Sequence, residues 1–215
     1  MAASAFGCTG SLLNTNLPIN IASLGALVAL CTVLGTGPLG AQSAAPAQTS
    51  AQMVSAQQEA IGKLAALDGV WRGKGWIMDR PGEVPRQLNQ TVRAGSFLDG
   101  TVRLLEIRGY QADGSIGFHA LNIVSYDTQT GAYAITARAG GRSGNFTFQT
   151  TADGYVWNIG DVTSGLRYTA TIKNGVWTET GEALASGRAP IKVSEWTVRR
   201  VGSTAWPEGG ALAPQ

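Results

Sequence analysis

Between Met53 and Leu67 the apolar residues Val54, Ile61, Leu64 and Leu67 recur near helical spacing, with Gln57, Gln58 and Lys63 set between them. That period predicts one amphipathic helix, ended by Asp68-Gly69. From Val70 the period changes to two. Alternating runs cover Val70–Met78, Gln87–Ala94, Thr101–Gln111, Ser115–Tyr126, Ala132–Ala139, Asn145–Thr151, Tyr155–Gly160, Leu166–Lys173, Val176–Ala185 and Ile191–Val201. Gly-bearing pairs divide them, among them Asp99-Gly100, Asp113-Gly114, Asp153-Gly154 and Asn174-Gly175. Asp-Gly and Asn-Gly tolerate the positive φ of tight hairpin turns, so they signal strand reversal.

No helical pattern interrupts these runs. Parallel strands need long crossovers, so consecutive short-linked strands must run antiparallel. About ten strands in one open sheet would leave long bare edges, which closure removes. The pattern therefore predicts an all-β domain: an antiparallel up-and-down barrel of about ten strands with one N-terminal helix, over residues 53–201. A two-sheet sandwich is the alternative.

The flanks read differently. Ile21 to Gly40 is an apolar run ending in Gly and Pro, and the first charged side chain of the sequence is Glu59. The run is expected to be a secretory signal cut between Ala41 and Ala45, where small residues cluster. The residues before it lack Lys or Arg, so an uncleaved membrane anchor and a misassigned start are the alternatives. Residues 1–41 are thus read as signal peptide or anchor, residues 42–52 as a flexible linker and residues 202–215 as a loose tail. A secreted or periplasmic location follows, or a membrane-anchored one, with membrane contact only through an uncleaved leader. Cys8 and Cys31 both lie in the leader, so cleavage would leave a barrel without thiol chemistry or Cys-ligated zinc.

Composition narrows the function classes. Only 14% of the 215 residues are charged and the formal net charge is +2. The arginines are dispersed, so no basic block argues for nucleic acid. No G-x-S-x-G nucleophile motif is present, and one histidine cannot build a multi-histidine metal site. Asn145-Phe146-Thr147 fits a glycosylation pattern, but the leader gives no eukaryotic context for it.

Gly69-Val70-Trp71 opens the first strand and continues as Arg72-Gly73-Lys74-Gly75. This Gly-x-Trp resembles the opening of lipocalin and calycin barrels, and Leu67 to Gly75 is similar to the opening of nitrobindin-type barrels. The turn Tyr126-Asp127-Thr128-Gln129-Thr130-Gly131-Ala132-Tyr133 resembles one found in uncharacterised bacterial lipocalin-like proteins. The resemblance covers Leu64 to Val201 and implies a barrel. It also implies an arginine of the last strand, Arg199 or its neighbour Arg200, packed over Trp71; Arg199 is taken as that structural partner. Nitrobindin-type barrels bind haem through a histidine of a late strand. From Leu166 onward there is none, so His119 is read as an ordinary strand histidine and no cofactor is expected.

Alternation places Trp71, Gly73 and Gly75 on one face. If that face is inward, the glycines clear space above a Trp71 floor; otherwise they only permit strand bending. Trp157 and Tyr168 also sit on faces expected to point inward. Trp71, Gly73, Gly75, Phe118, Trp157, Tyr168 and Trp196 are the candidate ligand contacts. Glu106, Glu179 and Glu195 are the candidate catalytic carboxylates, since a carboxyl inside a barrel would have a raised pKa or an arginine partner. The preferred reading for each is plainer: an outer-face Glu–Arg pair, with Arg93, Arg103, Arg108, Arg138 and Arg167 available. The leading expectation is a module binding a small hydrophobic or amphipathic ligand. The alternatives are an isomerase- or lyase-type enzyme using a strand glutamate with an arginine, and a structural envelope protein with a filled barrel.

Overall fold

The computed structural model describes residues 48–209. The leader, its cysteines, its cleavage site, most of the linker and the end of the tail lie outside the described residues. Helix α1 (Ser50–Gly62) leads through a 3-10 turn (Ala65–Leu67) into ten strands: β1 (Gly69–Ile77), β2 (Arg86–Phe97), β3 (Val102–Tyr110), β4 (Ile116–Asp127), β5 (Ala132–Ala139), β6 (Arg142–Thr151), β7 (Gly154–Gly160), β8 (Gly165–Lys173), β9 (Val176–Leu184) and β10 (Ile191–Gly202). Each strand pairs antiparallel with its sequence neighbours, and β1 pairs with β10 to close the barrel. The meander and its closure are as the alternation predicts, and none of the ten expected strands is missing. Among the described residues no helix is long and apolar enough to cross a membrane.

The helix starts inside the expected linker. Thr49 caps it: its side chain accepts from the Gln52 N–H, and Gln52 Oε1 accepts from the Thr49 N–H at 2.8 Å. This reciprocal capping box satisfies two otherwise orphaned donors. Burial is confined to the far end, at Ala60, Ile61, Leu64 and Leu67, while Val54 stays 42% exposed, contrary to its expected burial. A 13-residue helix is marginal alone. Burying Ile61, Leu64 or Leu67 stabilises by roughly 1.5–3 kcal/mol each, so packing holds the helix in place.

The helix and turn close one end of the barrel. The final carbonyls of a helix lack intrahelical donors. Here barrel side chains supply them: Tyr133 Oη donates to the Ala60 oxygen at 2.8 Å, and Arg103 Nη1 to the Ile61 oxygen at 3.0 Å. Trp71 Nε1 donates to the Leu67 oxygen at 2.8 Å, and Arg200 Nη2 to the Ala66 oxygen at 2.6 Å. Arg103 is 3% exposed and pairs with Asp68: its Nη2 donates to Oδ2 at 3.1 Å, while its Nε lies 2.9 Å from Oδ1 without hydrogen-bond geometry. Burial raises the Asp68 pKa and lowers that of Arg103, and each partner's charge opposes the other's shift.

The start of the expected loose tail is packed. Trp206 lies under Arg93, 5.0 Å from its guanidinium, and its backbone covers Gly95 on the outside of β2. A side chain at Gly95 would run into the Trp206 carbonyl.

Candidate functional site

The inner wall is sealed at the helix end. Trp71, Val92, Val124, Trp177 and Val198 have no exposed surface. Trp177 meets Trp71 edge-on at 5.5 Å between ring centres, and Arg200 lies 4.7 Å over the Trp71 ring. Arg199 faces outward and is exposed, so Arg200 is the partner of Trp71 and the choice of Arg199 is corrected. The reason is register: Trp71 pairs with Arg200, and side chains of directly paired residues share a face.

Gly73 and Gly75 do face inward with Trp71, but they clear no space. A Cβ on Gly73 would run into the Thr197 carbonyl and Val198 Cα; one on Gly75 would run into the Trp196 Cβ and the Glu195 carbonyl. Strand β10 occupies the room, so these glycines permit close approach of β1 and β10 where the barrel closes. The expected vacancy above Trp71 is therefore corrected. Trp71 itself is a sealed structural floor.

The three carboxylates separate. Glu106 lies on the outer face of β3, hydrogen-bonded to Arg108, with Arg93 Nη1 at 3.9 Å and His119 Nε2 at 3.6 Å. Glu195 is exposed and paired with Lys192. Both lie on the outer face as the plainer reading has it, but Glu195 pairs with Lys192 of its own strand and not with an arginine. Glu179 does not lie there. It shares the inner face of β9 with Trp177, is 8% exposed, and has no arginine partner in its network. Tyr155 Oη donates to Oε2 at 2.6 Å, and Trp196 Nε1 to Oε1 at 3.2 Å. Burial pushes the Glu179 pKa up to about 7, against the opposing pull of the donors Tyr155, Trp196 and Trp157. Burial also drives the Tyr155 hydroxyl well above its usual range, and the adjacent carboxylate adds to that.

Above Glu179 the inner wall is aromatic. Trp157 and Tyr168 both point inward as expected and stack at 4.3 Å, 12° from parallel. Gly181 makes this possible, because a Cβ there would meet the Tyr168 ring and the Ser194 hydroxyl. Phe118 and Phe146 are partly buried against the same core, and Trp157 and Trp196 retain 6% and 9% exposure. Strands β6 and β7 pair only from Phe148↔Trp157 to Thr151↔Gly154. Toward the end away from α1 the two strands therefore part, beside Phe146 and Trp157, whose rings lie 6.0 Å apart.

Two further inward side chains escaped the sequence reading. Gln90 of β2 is 3% exposed and Asn122 of β4 is 7% exposed. Each interrupts an apolar face, between Leu88 and Val92 and between Ala120 and Val124. That interruption was the signal available. His119 is half exposed on the outer face and does not reach the interior. It helps to line a separate open pocket of about 390 Å³ beside the β5–β6 turn, with Arg138, Arg142 and Ser143. Among the described residues no three His, Cys, Asp or Glu side chains gather as metal ligands would.

No protein-family model matches the chain, nor does any curated protein sequence. Among solved structures, the crystal structure of Rv2717c from M. tuberculosis matches with a TM-score of 0.51 and 14% identity, over 66% of this chain and 96% of that one. At such low identity the likeness shows the barrel fold.

Proposed function

We propose that the half of the barrel away from α1 binds a small hydrophobic or amphipathic molecule, with its polar end at Glu179. The observation that carries this reading is the placement of Glu179. Its carboxyl is buried without a cation, between the sealed Trp71–Trp177 floor and the aromatic layer of Trp157 and Tyr168. Ligand sites combine apolar walls with a few converging polar groups. Trp157, Tyr168, Phe118 and Trp196 supply such walls, and the carboxyl supplies the polar anchor. The lipocalin- and nitrobindin-like opening, Leu67 to Gly75, is in keeping with this assignment. The apolar run before the barrel supports an exported or membrane-anchored setting.

The test is a titration of intrinsic tryptophan fluorescence with octanol, octylamine, a terpenoid and haem, in the wild type and in Trp157→Leu. Saturable change in the wild type, weakened in Trp157→Leu, is the expected result. No response to any of them leaves the barrel as a filled structural module.

A second reading is an enzyme of the same fold. What favours it is the Glu179 pKa near 7, which suits a group that both takes and gives a proton at neutral pH. Its partners would be Tyr155 and Trp196, not the arginine expected from sequence. Loss of a bell-shaped pH–rate profile in Glu179→Gln, on a substrate found by ligand screening, is the measurement that decides for it.

A further inference from the structure

Glu179, Gln90 and Asn122 are buried polar side chains of the inner wall. Glu179 projects from β9. In the ten-strand cycle β4 lies five strands away, on the opposite wall, and β2 lies three away. From those walls come the amides of Asn122 and Gln90, both more than nine-tenths buried. Neither amide makes a hydrogen bond to any described residue, and neither is among the fully enclosed orphan atoms. Their donors and acceptors thus keep some accessible surface. A buried amide without a partner is costly, so a partner is expected there: solvent when the barrel is empty, ligand when it is filled.

The cations of the inner wall are placed elsewhere. Arg103 and Arg200 are held in the floor by Asp68 and the plug carbonyls. Arg86, ion-paired with Asp79, and exposed Arg142 lie at the mouth. A carboxylate or phosphate headgroup beside Glu179 would meet a carboxyl that no described cation pairs with.

We infer that the chamber is a headgroup site for an amphipathic alcohol or amine, bound by donation to Glu179 and by the Gln90 and Asn122 amides, and that it rejects fatty-acid carboxylates. This inference rests on the ligand-chamber reading above. An ammonium or hydroxyl donates to the carboxylate, and a hydroxyl also accepts from an amide. A carboxylate ligand would instead be buried beside a like charge, which disfavours it strongly.

The experiment uses three probes with the same chain: octanol, octylamine and octanoate, titrated into the folded barrel at about pH 8, where both carboxyls are largely ionised. Octanol and octylamine bind at least about tenfold more tightly than octanoate. Glu179→Gln, which keeps the shape and the Trp196 hydrogen bond while the Tyr155 hydroxyl turns to accept from the new amide, narrows the octylamine-over-octanoate preference by about tenfold. Asn122→Leu and Gln90→Leu weaken octanol binding while circular dichroism and the melting temperature show a folded barrel. Octanoate binding as tightly as the other two, or a preference unchanged in Glu179→Gln, overturns the headgroup assignment and leaves the chamber standing. Failure of all three probes to bind overturns the chamber itself, and the assignment with it.

Discussion

Tyr155 on β7 donates its hydroxyl hydrogen to Glu179 on β9 at 2.6 Å, reaching across the intervening strand over Ala170. Ala170 pairs with both residues, and its small side chain leaves the path clear. A larger residue there would separate the phenol from the carboxyl. The contact holds the carboxyl in one orientation above Trp177, whose ring meets Tyr155 edge-on at 6.1 Å.

This arrangement makes stability depend on pH. The folded pKa of Glu179, about 7, lies above its ordinary value of 4.5. The stability linked to the neutral carboxyl is therefore fully present below about pH 4.5 and is lost as pH rises through about 7. The difference corresponds to about 3 kcal/mol. Asp68 is also raised by burial and adds a slope of the same sign, so the readout is the difference between proteins. Urea melts across this window should show wild type losing stability relative to Glu179→Gln. Parallel pH profiles for the two would place the carboxyl in water.

The floor should depend on one arginine and not on its neighbour. Trp71→Ala removes a fully buried indole and should cost about 3–5 kcal/mol. Arg200→Ala removes the contact over that ring and the hydrogen bond to Ala66, and should cost about 1–2 kcal/mol. Arg199→Ala should stay within about 0.5 kcal/mol. Denaturant melts of the three variants check the order.

The glycines of β1 should respond as packing positions. Gly73→Ala and Gly75→Ala force β10 away and should each destabilise by about 1–3 kcal/mol. Gly62→Ala, in open space at the end of α1, should instead be neutral or stabilise by up to about 1 kcal/mol. Thermal melts measure all three.

The parting of β6 from β7 should appear in amide exchange. Residues 142–147 and 158–160 lack ladder partners across that seam, whereas β9 is paired on both sides. Exchange in these two segments should outpace exchange in β9 under native conditions. Equal protection would mean the seam is closed in solution.

The barrel was legible because its evidence is local. Alternation and Asp-Gly or Asn-Gly turns act within a few residues, and they marked every strand. The start of α1 was also written locally, in Thr49 and Gln52, although the apolar period alone placed it later. The site was only half legible. Trp157 and Tyr168 followed from alternation, but Glu179 is told from Glu106 and Glu195 by which face closes inward, a property of the whole barrel. The same holds for Arg199 against Arg200, adjacent residues on opposite faces. Gly73 and Gly75 look identical in sequence whether a ligand or a neighbouring strand fills their space, and here the strand does.

The most direct test of the chamber uses the indole N–H signals of the tryptophans, followed by nitrogen–proton correlation NMR as octylamine is added. Trp157 and Trp196 line the chamber; Trp71 is sealed in the floor by its bond to Leu67, and Trp76 and Trp206 lie on the outside. Saturable shifts of the Trp157 and Trp196 indole signals are expected, with those of Trp71, Trp76 and Trp206 unmoved. Shifts confined to Trp76 or Trp206, or no indole shift at saturating octylamine, would contradict it.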